Sequence, residues 1–132
     1  MGDHPAMVSQ ASPSSSRSPS RRWRTFLQII SVVVAIEIGL HSFIVKEPVV
    51  TLVLAALWFA GFLWIRRGGR GGPILIGGLS LIELLGTVFF SDETAPGVTV
   101  PAWVIIVHVV LVCAAVAAVV MTLRAQTAAT SQ

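Results

Sequence analysis

Charge is what this chain has least of. Asp, Glu, Lys and Arg together make up 11% of its 132 residues, against 55% hydrophobic, whereas a soluble domain carries about 25% charged residues. A deficit of that size argues for lipid as the solvent. In so short a chain it also leaves no room for a separate soluble catalytic module. Cysteine occurs once, as Cys113, so neither an internal disulfide nor a CxxC metal or redox motif can form. A small apolar residue packed within a helix is its expected role.

Several motifs are missing as well. There is no Gly-x-Ser-x-Gly nucleophile elbow, no His-Glu-x-x-His zinc-protease pair and no Walker phosphate loop, which removes the commonest hydrolase and nucleotide-binding readings. The run Arg66-Arg67-Gly68-Gly69-Arg70-Gly71-Gly72 lacks the Walker spacing and reads as a flexible turn between helices. Ala6 stands where an N-myristoylation pattern requires Ser or Thr. A net charge of +3 would suggest nucleic acid in a soluble protein. Here the basic residues flank apolar runs, so topology accounts for them and no nucleic-acid partner is expected.

Long apolar runs are what the chain does have. Four of them, at about 23–45, 48–65, 73–90 and 101–123, approach the roughly 20 residues that a helix needs to cross a bilayer core. Residues 1–22 are rich in Ser, Pro and Arg and read as a disordered tail; residues 125–132 form a short second tail. The first run is too long for a signal-peptide core of about 7–15 residues, contains Glu37 and has no small-x-small site after it. It reads as an uncleaved span. The expected fold is therefore all-α, an integral membrane bundle of four transmembrane helices whose short connections favour sequential antiparallel neighbours.

Basic residues orient that bundle. Arg17, Arg21, Arg22 and Arg24 precede the first span, Arg66, Arg67 and Arg70 separate the second from the third, and Arg124 follows the fourth. The opposite side has Lys46 with the acids Glu47, Asp92 and Glu93. The positive-inside rule then predicts a multi-pass protein of the cell membrane with both termini cytoplasmic. Trp23 and Trp64 fall at the inner interface and Trp103 at the outer one, where aromatic belts form.

Within the spans, four ionisable residues stand out: Glu37 and His41 in the first, Glu83 in the third and His108 in the fourth. Each costs on the order of 3 kcal/mol at mid-bilayer on insertion scales, so such residues face protein interior and mark function. Counting 1.5 Å per residue places all four about 6–12 Å below the outer boundary. Glu37 and His41 share a helix face, while Ser80, Glu83 and Thr87 make a polar stripe beside Gly86. Such a stripe is best buried where its hydroxyls find partners on other helices. Thr51 and Trp58 share a face at matching depth in the second span. Ser31, Ala35 and Gly39, and Ala114 with Ala118, form small-residue ridges that permit close packing. For the cluster to close, the third span must return beside the first.

Three readings of the cluster follow. Its members hydrogen-bond one another and fix the bundle's arrangement; or they bind a proton, a metal ion or a small ligand, imidazole and carboxylate together suiting Zn, Mn or Fe; or they serve a membrane-embedded enzyme or a haem or quinone redox subunit, His41 and His108 being at matching depth. Glu37, His41, Glu83 and His108 are the candidate metal set, with Thr51, Ser80 and Thr87 as supporting polar residues. The leading expectation is a small accessory or transport-related membrane protein, in the lipid bilayer as a homo-oligomer or within a larger membrane complex.

Overall fold

A computed structural model describes residues 18–89 and 96–131. They form four helices: α1 (Pro19–His41), α2 (Pro48–Arg67), α3 (Gly71–Phe89) and α4 (Ala102–Thr130). All four are long and apolar enough to cross a membrane, and no strand occurs among the described residues. The architecture is that of a multi-pass, four-helix membrane bundle.

Local chemistry sets the boundaries. Proline at the first helical position, Pro19 in α1 and Pro48 in α2, supplies a fixed φ where its missing N–H costs nothing. α1 thus starts within the segment expected to be disordered, and residues 19–22 are helical; residues 1–17 lie outside the described set. At its other end α1 stops at His41, before the expected boundary at 45, and residues 42–44 turn instead. α4 continues through Thr130, into residues expected to form a tail. Between α2 and α3 the chain reverses on Gly68 and Gly69, with φ of 94° and 92°, backbone that glycine adopts freely and residues with a Cβ rarely do. Gly72 then lies so close to α2 that a Cβ there would sit 2.7 Å from the Ile65 backbone nitrogen. The Asp92–Glu93 loop lies outside the described residues.

Each helix packs against two others: α1 and α3 both contact α2 and α4. The bundle is a square in which α1 and α3 face across a diagonal, so α3 is not α1's neighbour as expected. Its core comes from Leu27, Val34 and Ile38 of α1, Trp58 and Ile65 of α2, Ile76 and Leu79 of α3, and Ala115, Ala118 and Val119 of α4. Small residues allow the close approach. Ser31, Ala35 and Ala118 are buried, and Gly39 is open enough that its Cβ would meet Ala55 at 4.0 Å. The outward faces are apolar, with Ile29, Leu52, Leu81 and Ile106 among the exposed side chains, as a lipid solvent requires. Cys113 is exposed on that surface. It is not packed against a neighbouring helix, because α4 turns Val112 and Ala115 inward instead.

The charges separate along the bundle axis. Arg21, Arg22, Arg24, Arg66, Arg67, Arg70 and Arg124 gather at one end, whereas Glu37, Glu47 and Glu83 lie toward the other. At the arginine end, Arg24 of α1 donates through Nε (3.0 Å) and Nη2 to the carbonyl of Ile65 near the end of α2. That carbonyl also accepts the Gly68 N–H at 3.2 Å, and a cation beside it complements the negative end of the helix dipole. The sequence offered no sign of this inter-helix cap.

Candidate functional site

Three helices carry the four ionisable residues to one place. Glu37 stands one turn before the end of α1, Glu83 six residues before the end of α3, and His108 six residues into α4. The antiparallel order brings those levels together, and α4 closes the gap because it packs on both α1 and α3. The site is therefore assembled through α4, with no direct α1–α3 seam.

The geometry is a chain of alternating acids and imidazoles. His108 Nδ1 is 2.9 Å from Glu37 Oε2, a hydrogen bond with the ring N–H donating to the carboxylate. The other nitrogen of the same ring, Nε2, is 3.6 Å from Glu83 Oε2, a contact range rather than a hydrogen bond. On the far side, His41 Nδ1 approaches Glu37 Oε1 at 3.0 Å. The His41 and His108 rings stand 6.0 Å apart, edge to face. Side-chain exposures of 12% for His108, 13% for Glu83, 16% for Glu37 and 22% for His41 place the set inside the bundle with His41 nearest its rim.

Not every polar atom is satisfied. Glu37 Oε1 and Glu83 Oε1 are buried and make no hydrogen bond; the His41 nitrogen is near the first but misaligned with it. Trp58 is fully buried, and its indole N–H faces Glu83 as a hydrogen-bond donor in a geometry short of ideal. The cluster's polar atoms thus face one another, Glu37 Oε1 standing 3.0 Å from His41 Nδ1, in contacts that are loosely aligned rather than ideal.

A cavity of about 310 Å³ opens beside the cluster, lined on its polar side by His41, Glu47, Thr51, Glu83, Thr87 and His108, with Gly86 leaving space in the wall. Thr51 and Thr87 thus border the cavity. Trp58 lies beneath it in the core, and Ser80 is buried one turn below Glu83. None of the three hydroxyls reaches another helix. Thr51 donates to Glu47 O, Ser80 to Ile76 O and Thr87 to Glu83 O, each four residues back. The polar stripe satisfies itself on its own helix, which leaves the carboxylates and imidazoles as the groups free to act. Glu47 was missed as a lining residue; its one cue was its place beside Pro48, at the cavity's mouth.

His41, Glu37 and His108 each present one ligand atom, and those three atoms lie within 4.8 Å of one another. Glu83 approaches the opposite nitrogen of His108. The fold and site together define a multi-pass membrane bundle with a Glu/His cluster at one end. No family model, curated protein or solved structure matches this chain.

Proposed function

We propose that this protein binds a divalent transition-metal ion, zinc foremost, through His41 Nδ1, His108 Nδ1 and the Glu37 carboxylate. The observation that supports it is that one ligand atom from each of the three residues lies within 4.8 Å of the others, with both Nδ1 atoms about 3 Å from Glu37, beside a cavity that admits a small ligand. A tetrahedral ion with bonds of about 2 Å spaces its donors about 3.3 Å apart. The contacts of 3.0 and 2.9 Å to Glu37 already match that spacing, so rotamer adjustments suffice to close the set. Imidazole and carboxylate donors suit zinc, with manganese and iron as related candidates. Glu83 stands behind His108 as an outer carboxylate, the arrangement that fixes a ligating ring's tautomer and orientation. The cavity supplies room for a fourth, exchangeable ligand.

Two observations favour this reading over its rivals. A purely structural cluster favours well-aligned hydrogen bonds, whereas His41 meets Glu37 Oε1 out of line at 3.0 Å and His108 reaches Glu83 only at 3.6 Å. A bis-imidazole haem needs two nitrogens opposed across a porphyrin, whereas both Nδ1 atoms here point to one carboxylate. Below the cluster the bundle is filled by Leu27, Val34, Ile76 and Ala118, so access runs from one end only. We therefore assign an accessory, ion-holding role in a membrane assembly, with the site facing the outer side, rather than carriage of the ion across the bilayer.

The test is zinc titration of purified protein in mild detergent, with elemental analysis beside it. One ion per chain is expected for the wild type, lost in Glu37→Gln/His41→Ala while circular dichroism remains helical. Equal zinc retention by wild type and variant, or a variant that is merely less stable, refutes the assignment.

A further inference from the structure

The opposite end of the bundle holds a second cleft, of about 550 Å³, between the first turns of α1, the α2–α3 turn and the last turns of α4. Its polar lining includes Ser20, Arg21, Arg24, Arg70, Gln126 and Thr130. Three guanidinium groups thus converge from two separate segments of the chain. No acidic side chain among the described residues lies at this end, and no described arginine makes an ion pair. With no described acid among them, these cations repel one another, and an anion placed among them relieves that repulsion.

The cleft is also partly built. Arg24 is anchored by its two N–H groups on Ile65 O, which holds its guanidinium in place. Arg70 Nη2 is 3.5 Å from Thr130 Oγ1, joining the α2–α3 turn to the end of α4. Gln126 donates from Nε2 to Gly69 O at 3.4 Å, and its Oε1 is buried without a hydrogen-bond partner. The site thus offers planar, multidentate cations for a phosphate group and one acceptor that lacks a donor.

We propose that this cleft holds the phosphate of an anionic glycerophospholipid whose headgroup carries a hydroxyl. The phosphodiester sits among Arg21, Arg24 and Arg70, and the headgroup hydroxyl supplies the donor that Gln126 Oε1 lacks. The cleft lies where α1 and α4 leave their apolar spans, the level of lipid headgroups, so the acyl chains continue along the apolar helix faces. Basic pockets between transmembrane helices on the cytoplasmic side recognise anionic headgroups in this way. This site is independent of the metal-binding reading, being at the other end of the bundle.

Native mass spectrometry of the detergent-purified chain tests it, with phosphatidylglycerol, phosphatidylcholine and inorganic phosphate as probes. One phosphatidylglycerol should be retained in preference to phosphatidylcholine. Arg21→Gln/Arg70→Gln should cut that preference by about tenfold or more. Arg22→Gln/Arg67→Gln removes the same charge at the same end from residues outside the cleft, and should leave most of the preference intact. Equal loss in both variants reduces the effect to general charge and overturns the site. So does equal retention of the two lipids by the wild type. Displacement of phosphatidylglycerol by lower concentrations of inorganic phosphate would assign the phosphate to a soluble source and overturn the lipid assignment.

Discussion

His108 and Glu37, 71 positions apart in the chain, meet at 2.9 Å and tie α4 to α1 at the level where α3 contributes Glu83. Because α1 and α3 sit on a diagonal of the bundle, His108 is the one residue of the cluster in contact with both acids. The cluster depends on that imidazole more than on any of its neighbours.

A double-mutant cycle should measure the tie. Buried polar pairs in membrane bundles are worth about 0.6 kcal/mol on average and up to about 1.7. Glu37→Gln/His108→Leu should show coupling toward the top of that range, read from unfolding in mixed micelles. Glu37→Gln/Ser80→Ala should be additive, since the Ser80 hydroxyl is committed to Ile76 O. Coupling near zero for the first pair would remove the hydrogen bond from the account.

Glu83 should act on the ion through His108 alone. Loss of an outer carboxylate behind a ligating histidine typically costs about 10–100-fold in metal affinity. Glu83→Gln should therefore weaken zinc by that factor and keep a stoichiometry of one. Abolished binding would instead make Glu83 a direct ligand.

Acidity should oppose the ion. On binding metal through Nδ1, a neutral His108 carries its proton on Nε2, facing Glu83, whereas an imidazolium must lose one, so protons compete with the ion. Binding therefore releases protons, so affinity rises with pH and falls on acidification. On acidification zinc affinity should drop by about tenfold per pH unit for each proton released. Calorimetry in buffers of different ionisation enthalpy counts those protons. A pH-independent affinity would exclude the imidazoles as ligands.

The four apolar helices and the shared level of the four ionisable residues were legible in the sequence because both depend on one-dimensional quantities, hydropathy and rise per residue. Partner choice was not. Glu37, Glu83 and His108 could be placed at one level, but the order of helices around the bundle decides who touches whom. That order is set by packing at residues such as Gly72, Gly39 and Ala118, whose small size permits many arrangements. The fate of the hydroxyls was hidden for another reason. A Ser or Thr inside a helix can bond its own i−4 carbonyl, so Thr51, Ser80 and Thr87 satisfied themselves locally. Arg24 was legible as topology and not as a cap, since its reach to Ile65 depends on where α2 ends.

Glycine substitutions should separate contact from mere composition. At Gly72 an added methyl would sit 2.7 Å from both Ile65 N and Ile65 Cγ1, and the backbone atom cannot turn aside. Gly72→Ala should cost about 1–3 kcal/mol, as overpacking does. Gly78, on the same helix, has nothing within 4 Å of its would-be Cβ, so Gly78→Ala should be neutral or slightly stabilising. Thermal melts of both variants in one detergent make the comparison, and equal shifts would contradict the close α2–α3 approach.

Single-cysteine labelling should establish which side the cluster faces. Cys113 points outward from α4, so Cys113→Ala should change stability by no more than about 0.5 kcal/mol and provide a cysteine-free background. Lys46 and Arg67 are both exposed and bracket α2 at its two ends. With the arginines inside, a membrane-impermeant maleimide should label Lys46→Cys in intact cells and Arg67→Cys only after the membrane is opened. The reverse pattern would place the Glu/His cavity on the cytoplasmic side and the arginine cleft outside. An ion held at Glu37, His41 and His108 would then be drawn from the cytoplasm, and the arginine cleft would face the other leaflet.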